Sequence, residues 1–218
     1  MELKLLKEIV KGGEGKRTEF KLKTKHPEKI IRSIVAFANT DGGRLFLGVR
    51  DDRTIIGLKD PEEDLFSLTR AIEKWITPDL DYAVERISVG LDREVMVFHI
   101  PTSKTKPHYV LDVEGKRRAY IRVGEQSIQA SREMKQILLR GKVNANSLIR
   151  YGTHERILMS LLDQMDSITL NVFASKAFIS KRKASEILIT MVLAQVLQIQ
   201  PHEIEDTYTW SPQFTAHH

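Results

Sequence analysis

Residues 13–52 read GEGKRTEFKLKTKHPEKIIRSIVAFANTDGGRLFLGVRDD, and the succession of patterns in this stretch decides the fold of the larger part of the chain. Thr18 to Lys23 alternates. Phe20 and Leu22 fall on one side, Glu19, Lys21 and Lys23 on the other, which is the period of a strand with one buried face. His26-Pro27-Glu28 then opens a helix, since proline at the first turn forfeits no intrahelical hydrogen bond. Ile30, Ile31, Ile34, Val35, Phe37 and Ala38 give that helix a broad apolar face. Asn39-Thr40-Asp41-Gly42-Gly43 stops it, because glycine accepts the positive φ that other residues resist. The run Leu45-Phe46-Leu47-Gly48-Val49 predicts a buried central strand, and Asp51-Asp52-Arg53 a hairpin turn into Ile55–Leu58.

Outward from this unit, Leu3, Leu6, Ile9 and Val10 lie at helical spacing and Gly12-Gly13 ends their helix. Residues 61–76 predict a third helix, acidic in its first turn (Glu62, Glu63, Asp64) where the helix dipole favours negative charge. Asp81–Ser88 and Glu94–Ile100 predict a hairpin, and Pro101 and Pro107 frame a lysine-bearing loop suited to a phosphate backbone. Arg118 to Gly124 predicts another strand and residues 131–140 a closing helix. Strands interleaved with helices, some in hairpins, indicate a mixed α/β (α+β) domain over residues 1–143.

The polar stretch Gly141–Asn146 reads as a linker. Beyond it Ile157, Leu158, Leu161 and Leu162 mark one helix, and Leu170–Ala177 a second. A third starts at Ser180 and carries Ala184, Ile187, Leu188, Met191 and Val192 on one face. Val196–Gln200 and Ile204–Trp210 follow as strands around Pro201-His202-Glu203. Three helices and a β-hairpin are the outline of a small winged helix, placed at residues 147–218.

Composition narrows the function classes. The chain has 218 residues and no cysteine, which excludes disulfides, thiolate catalysis and cysteine-ligated metal centres. No apolar run approaches the roughly 20 residues needed to span a bilayer, and the expectation is a cytoplasmic protein. Charge is uneven: residues 1–145 hold 28 Lys and Arg against 22 Asp and Glu, residues 146–218 hold 6 against 7. A basic surface concentrates polyanions, so nucleic acid is the partner to consider first. No P-loop, HExxH or GxSxG pattern occurs, and the seven histidines show no zinc spacing.

Lys16, Arg17, Lys21 and Lys23 form the first basic group, and Arg118, Tyr120 and Arg122 alternate along one strand. Two arginines flanking an aromatic can grip phosphates and stack on a base, while a solvated sheet face carrying one tyrosine is the plain alternative. Lys181, Arg182 and Lys183 open the presumed recognition helix, whereas Glu203, Glu205 and Asp206 in the presumed wing repel DNA. The Gly42-Gly43 turn can present backbone amides to phosphate or simply connect helix to strand, and the second reading is the better one.

Taken together, E-x4-E-F-K at Glu14–Lys21, AFANTDGG, the strand ending GVRDD and the run YIRVG resemble the Schlafen-type AlbA-like domain over roughly residues 1–140. The C-terminal part resembles the winged helix-turn-helix module attached to such domains in bacterial proteins. The resemblance implies DNA binding in transcriptional regulators and, in some descriptions, a divergent ATP site. RNase-active animal relatives imply a three-carboxylate metal site, which by motif would be Glu14, Glu19 and Asp51 here. Hard oxygen ligands suit Mg²⁺ or Mn²⁺, which activate water and neutralise charge on a phosphate. The alternative is that Glu19 lies on a solvated strand face and the other two in surface turns.

The expectation is therefore a nucleic-acid-binding protein, a homodimeric DNA-binding transcriptional regulator, with RNA also open. The alternatives are a metal-dependent endonuclease and a dimerising protein-interaction module.

Overall fold

The computed structural model describes residues 2–90, 92–141 and 152–215. Contacts divide the chain into two units, residues 1–129 and 130–218. The first unit runs α1 (Leu3–Gly12), β1 (Thr18–Lys21), α2 (Pro27–Asn39), β2 (Gly43–Leu47), α3 (Pro61–Trp75), β3 (Ile76–Thr77), β4 (Ala83–Gly90), β5 (Arg93–Ile100), β6 (Tyr109–Leu111), β7 (Arg117–Arg118), β8 (Tyr120–Val123) and β9 (Gln126–Gln129).

Its centre is a four-stranded sheet in the order β1-β2-β5-β4, with β1 and β2 parallel and the other pairs antiparallel. The helix-period stripes read from the sequence cover it on both faces. Ile31, Ile34 and Val35 of α2 and Leu68 of α3 pack with Leu45, Leu47 and Phe98 on one side. Leu6 and Val10 of α1 pack with Phe20, Phe46, Val95 and Val97 on the other. Smaller sheets, β3-β6-β7 and β8-β9, complete the unit.

The turn at Asn39–Gly43 locks these layers. Asn39 is buried; its Nδ2 donates to the carbonyls of His108 and Tyr120, and its Oδ1 accepts from the His108 amide at 2.8 Å. Gly42 has φ 73°, and a Cβ there would sit 2.8 Å from the Ile100 carbonyl oxygen, so glycine is required on two counts.

The second unit contains α4 (Arg132–Arg140), α5 (Thr153–Gln164), β10 (Ile168–Thr169), α6 (Leu170–Lys176), α7 (Lys181–Leu193), β11 (Leu197–Gln200), β12 (Thr207–Trp210) and α8 (Pro212–Thr215). β10, β12 and β11 form a three-stranded antiparallel sheet in that order. The core joins Leu158 and Leu162 to Phe173, Ile187, Leu188, Met191 and Tyr208.

Three sequence expectations change. Residues 131–140, read as closing the first domain, pack on α7 instead: Ser185 Oγ donates to Glu133 Oε1 at 2.6 Å and Arg140 pairs with Glu186 at 3.2 Å. The units accordingly divide at 129/130 rather than after 143. The strand read over Arg118–Gly124 is broken at the buried Ala119, so Arg118 and Arg122 lie in different sheets. Of the predicted linker only Gly141 lies among the described residues.

Candidate nucleic-acid interface

Glu19 is the residue whose position departs most from its reading. A two-residue alternation put it on a solvated face, yet it is 8% exposed. Its Oε2 accepts from Arg122 Nη1 at 2.7 Å, and its Oε1 accepts from Ser33 Oγ at 3.3 Å and lies 2.8 Å from Lys21 Nζ. Arg122, expected on an exposed face beside Arg118, has a side chain only 1% exposed. It also donates to Ser127 Oγ and to the Gly15 carbonyl, and its guanidinium lies 4.8 Å from the Phe37 ring centroid. The physical reason is mutual: a carboxylate can be buried here because a guanidinium that donates to it is buried against it. Tyr120 is buried as well, leaving Arg118 as the exposed member of the expected trio.

Glu14 accepts the Phe20 amide at 2.6 Å, and its Oε1 is 3.8 Å from Lys21 Nζ. Lys21 is thus the shared counter-charge of Glu14 and Glu19. Asp51 lies on the exposed turn after β2. Among the described residues, no group of three or more His, Asp or Glu is arranged to hold a metal ion.

The remaining expected cations stay at the surface. Lys16 pairs with Asp41 and holds that carboxyl below its usual range, chiefly through their hydrogen bond. Arg118 lies 3.5 Å from Asp112. Arg17 and Lys23 are exposed and, among the described residues, have no ion pair. In the loop after β5, Lys104 is exposed, whereas Lys106 turns inward to donate to the Thr40 carbonyl at 2.6 Å, and burial lowers its pKa. Lys181, Arg182 and Lys183 form the exposed first turn of α7, which Ser180 caps by accepting the Lys183 amide. Ala184, Ser185, Ile187, Leu188 and Ile189 beyond them are buried.

One group escaped the sequence reading. Arg44 and His99 are adjacent partners on β2 and β5 and line a cleft of about 690 Å³ with Arg17, Tyr82, Ala83 and Thr102. Arg44 stands one residue past the glycine turn in an apolar strand. An arginine at that point in such a strand was the available signal.

The family model described as Schlafen, AlbA_2 matches residues 14–131, more than half of the chain. A crystal structure of a Corynebacterium diphtheriae protein is similar at 19% identity and TM-score 0.44, covering 77% of this chain and 31% of that one. This chain therefore spans under a third of that protein. The solution structure of the N-terminal domain of a RecG-related protein from Nitrosomonas europaea is similar at 20% identity and TM-score 0.44, covering 71% of this chain and 98% of that one.

Proposed function

The chain belongs to the Schlafen AlbA_2 family, and from that premise we propose that it binds nucleic acid as a DNA-binding transcriptional regulator. The observation that carries this reading is the supply of exposed cations that form no ion pair among the described residues. Arg17, Lys23, Lys104, Lys116 and Arg117 of the first unit have no ion pair among the described residues. Such charges strengthen binding to a polyanion by releasing its counterions. The second unit supports a winged helix through its order of elements and its three-stranded sheet. With α4 packed on α7, the basic part of α7 that stays exposed is the turn Lys181-Arg182-Lys183, and the first turn is the part of a recognition helix that meets base edges. A homodimer would pair two such turns on a palindromic site.

The test is binding of labelled duplex DNA and of tRNA at several salt concentrations. The reading requires affinity for DNA that falls steeply as salt rises. Absence of binding to either polymer at low salt overturns it.

A second reading, a metal-dependent endonuclease, is favoured by one observation: Glu14 and Glu19 already share the cation Lys21. The residues that would hold a Mg²⁺ or Mn²⁺ ion are Glu14, Glu19 and Asp51, and such an ion would supply activation of water and neutralisation of phosphate charge; among the described residues these three are not gathered into a metal-holding group. Cleavage of tRNA or DNA that depends on Mn²⁺ and is lost in Asp51→Asn supports it. Intact polymer at every metal concentration refutes it.

A further inference from the structure

In the second unit, α6 ends in a closed cap. The Phe178 amide donates to the Ser175 carbonyl and the Ile179 amide to the Ala174 carbonyl, the pair of bonds by which a helix stops on one left-handed residue. That residue is Phe178, with φ 53°. Glycine takes this place at little cost, whereas a phenylalanine crowds its Cβ against its own backbone. Burial does not compensate. Phe178 is 96% exposed and its ring meets no other ring among the described residues, while Ile179 beside it packs into the core of the unit. Neither the cap nor the core accounts for an aromatic side chain at this position.

The charge around it has one sign. Between Asp166 and Glu186 the sequence holds no acid, and its four cations there, Lys176, Lys181, Arg182 and Lys183, all stand within five residues of Phe178. All four are exposed, and none has an ion pair among the described residues. The acid that follows them, Glu186, is paired with Arg140 at 3.2 Å. Ile204, in the turn between β11 and β12, supplies the contrast: it is 100% exposed but lies between Glu203 and Glu205. Glu205 Oε1 accepts from Asn171 Nδ2 at 2.6 Å, which ties that acid to the N-terminal end of α6, about 10 Å by helix rise from Phe178. Asp206 is buried and accepts from Ser131 Oγ and the His202 amide. Of the two exposed apolar side chains, Phe178 alone has surroundings complementary to a polyanion.

Position in the chain says what an apolar group would meet there. Phe178 stands two residues before Ser180, the cap of α7, and the first turn of a recognition helix is the part that reaches base edges. The apolar group on those edges in the major groove is the C5-methyl of thymine. Duplex RNA lacks that methyl, and its major groove is too deep and narrow for side chains to read. We propose that Phe178 is a specificity-determining contact with duplex DNA, its ring packed on a thymine methyl in the major groove while Lys176 and Lys181 take phosphates. The proposal rests on the DNA-binding reading above and adds which residue reads a base, and which base it prefers.

The test uses the full chain and fluorescence anisotropy with two labelled duplexes of about 20 base pairs, one of alternating dA and dT, the other identical but with deoxyuridine in place of every thymidine. Phe178→Gly removes the ring and gives the cap the residue its geometry favours, so the variant should melt no lower than wild type. Ile204→Gly removes an equally exposed apolar group from the acid-flanked turn. Wild type should bind the thymine duplex about fourfold more tightly than the uracil duplex, the worth of one buried methyl. Phe178→Gly should weaken binding of the thymine duplex about tenfold and abolish the difference between the two, while Ile204→Gly should bind both as wild type does. If wild type binds neither duplex at low salt, the DNA-binding reading fails and this contact with it. If wild type binds and Phe178→Gly, melting as expected, binds equally well, Phe178 is excluded while the reading stands. Equal affinity of wild type for the two duplexes overturns the thymine contact. A Phe178→Gly variant that melts well below wild type, or that loses self-association by sedimentation while binding DNA unchanged, overturns the proposal in favour of a structural or copy-to-copy role.

Discussion

Replacing Glu19 by alanine removes one half of a buried ion pair and leaves the other half in place. Arg122 has a side chain 1% exposed, and Glu19 is its carboxylate, at 2.7 Å. After Glu19→Ala, Arg122 keeps Ser127 Oγ and the Gly15 carbonyl, but no anion balances it, and Lys21 also loses its nearest acid. Breaking a buried pair from one side costs about 3–5 kcal/mol. At about 3 °C per kcal/mol for a unit of this size, the melting transition should fall by roughly 10–15 °C. Urea denaturation of the full chain followed by tryptophan fluorescence measures the same loss as a shift in midpoint, with the slope unchanged. The double variant Glu19→Leu/Arg122→Met removes both charges and should recover most of the stability, because no uncompensated ion remains. A single variant that loses less than about 1 kcal/mol would refute the reasoning, as would a double variant no more stable than the single one. The consequence reaches the endonuclease question: lost cleavage in Glu19→Ala reports a damaged fold, so Glu19 is the wrong residue with which to test catalysis.

Asp51→Asn, on an exposed turn, should change stability by less than about 0.5 kcal/mol, so any effect it has on cleavage is chemical; thermal melting checks this. Gly43→Ala should destabilise the first unit by about 1–3 kcal/mol in urea, because the added Cβ would meet the Phe37 ring at 2.3 Å. Ser185→Ala, which deprives Glu133 of a 2.6 Å hydrogen bond, should cost about 1–2 kcal/mol in the second unit and loosen α4, read by amide hydrogen exchange over residues 132–140. Lys16→Gln should cost no more than about 0.5 kcal/mol, since both partners are substantially exposed. Asp41 titrates below its ordinary 3.8 because of Lys16, so that small difference should be complete above pH 3.8 and vanish as pH falls through the lowered value.

Secondary structure was readable where a continuous apolar stripe ended on a strong turn signal. α2 is such a case: its stripe of Ile30, Ile31, Ile34, Val35, Phe37 and Ala38 is buried against the central sheet, α3 and β8, and its Asn-Thr-Asp-Gly-Gly end is required by backbone geometry. The helix at 132–140 was readable as a helix but not as part of a unit. What assigns it is Glu133 meeting Ser185, 52 residues away, and helical spacing carries no information about that partner. Glu19 failed for a related reason. Alternation assumes that the polar side of a strand faces water, and that assumption breaks when an arginine 103 residues distant arrives to neutralise the carboxylate.

The same long-range pairing decides which basic residues are available to a ligand, and it reorders the expected interface. Lys16, Lys21, Arg118 and Arg122 all looked equivalent to Arg17 and Lys23 in the sequence, yet each of the four lies beside a carboxylate of its own unit. A cation already paired gains less from a phosphate, because binding first breaks an existing interaction. Arg17 and Lys23, which have no ion pair among the described residues, carry no such cost. Net charge therefore points to a polyanion, but the choice of contact residues follows from which cations the fold leaves without a partner.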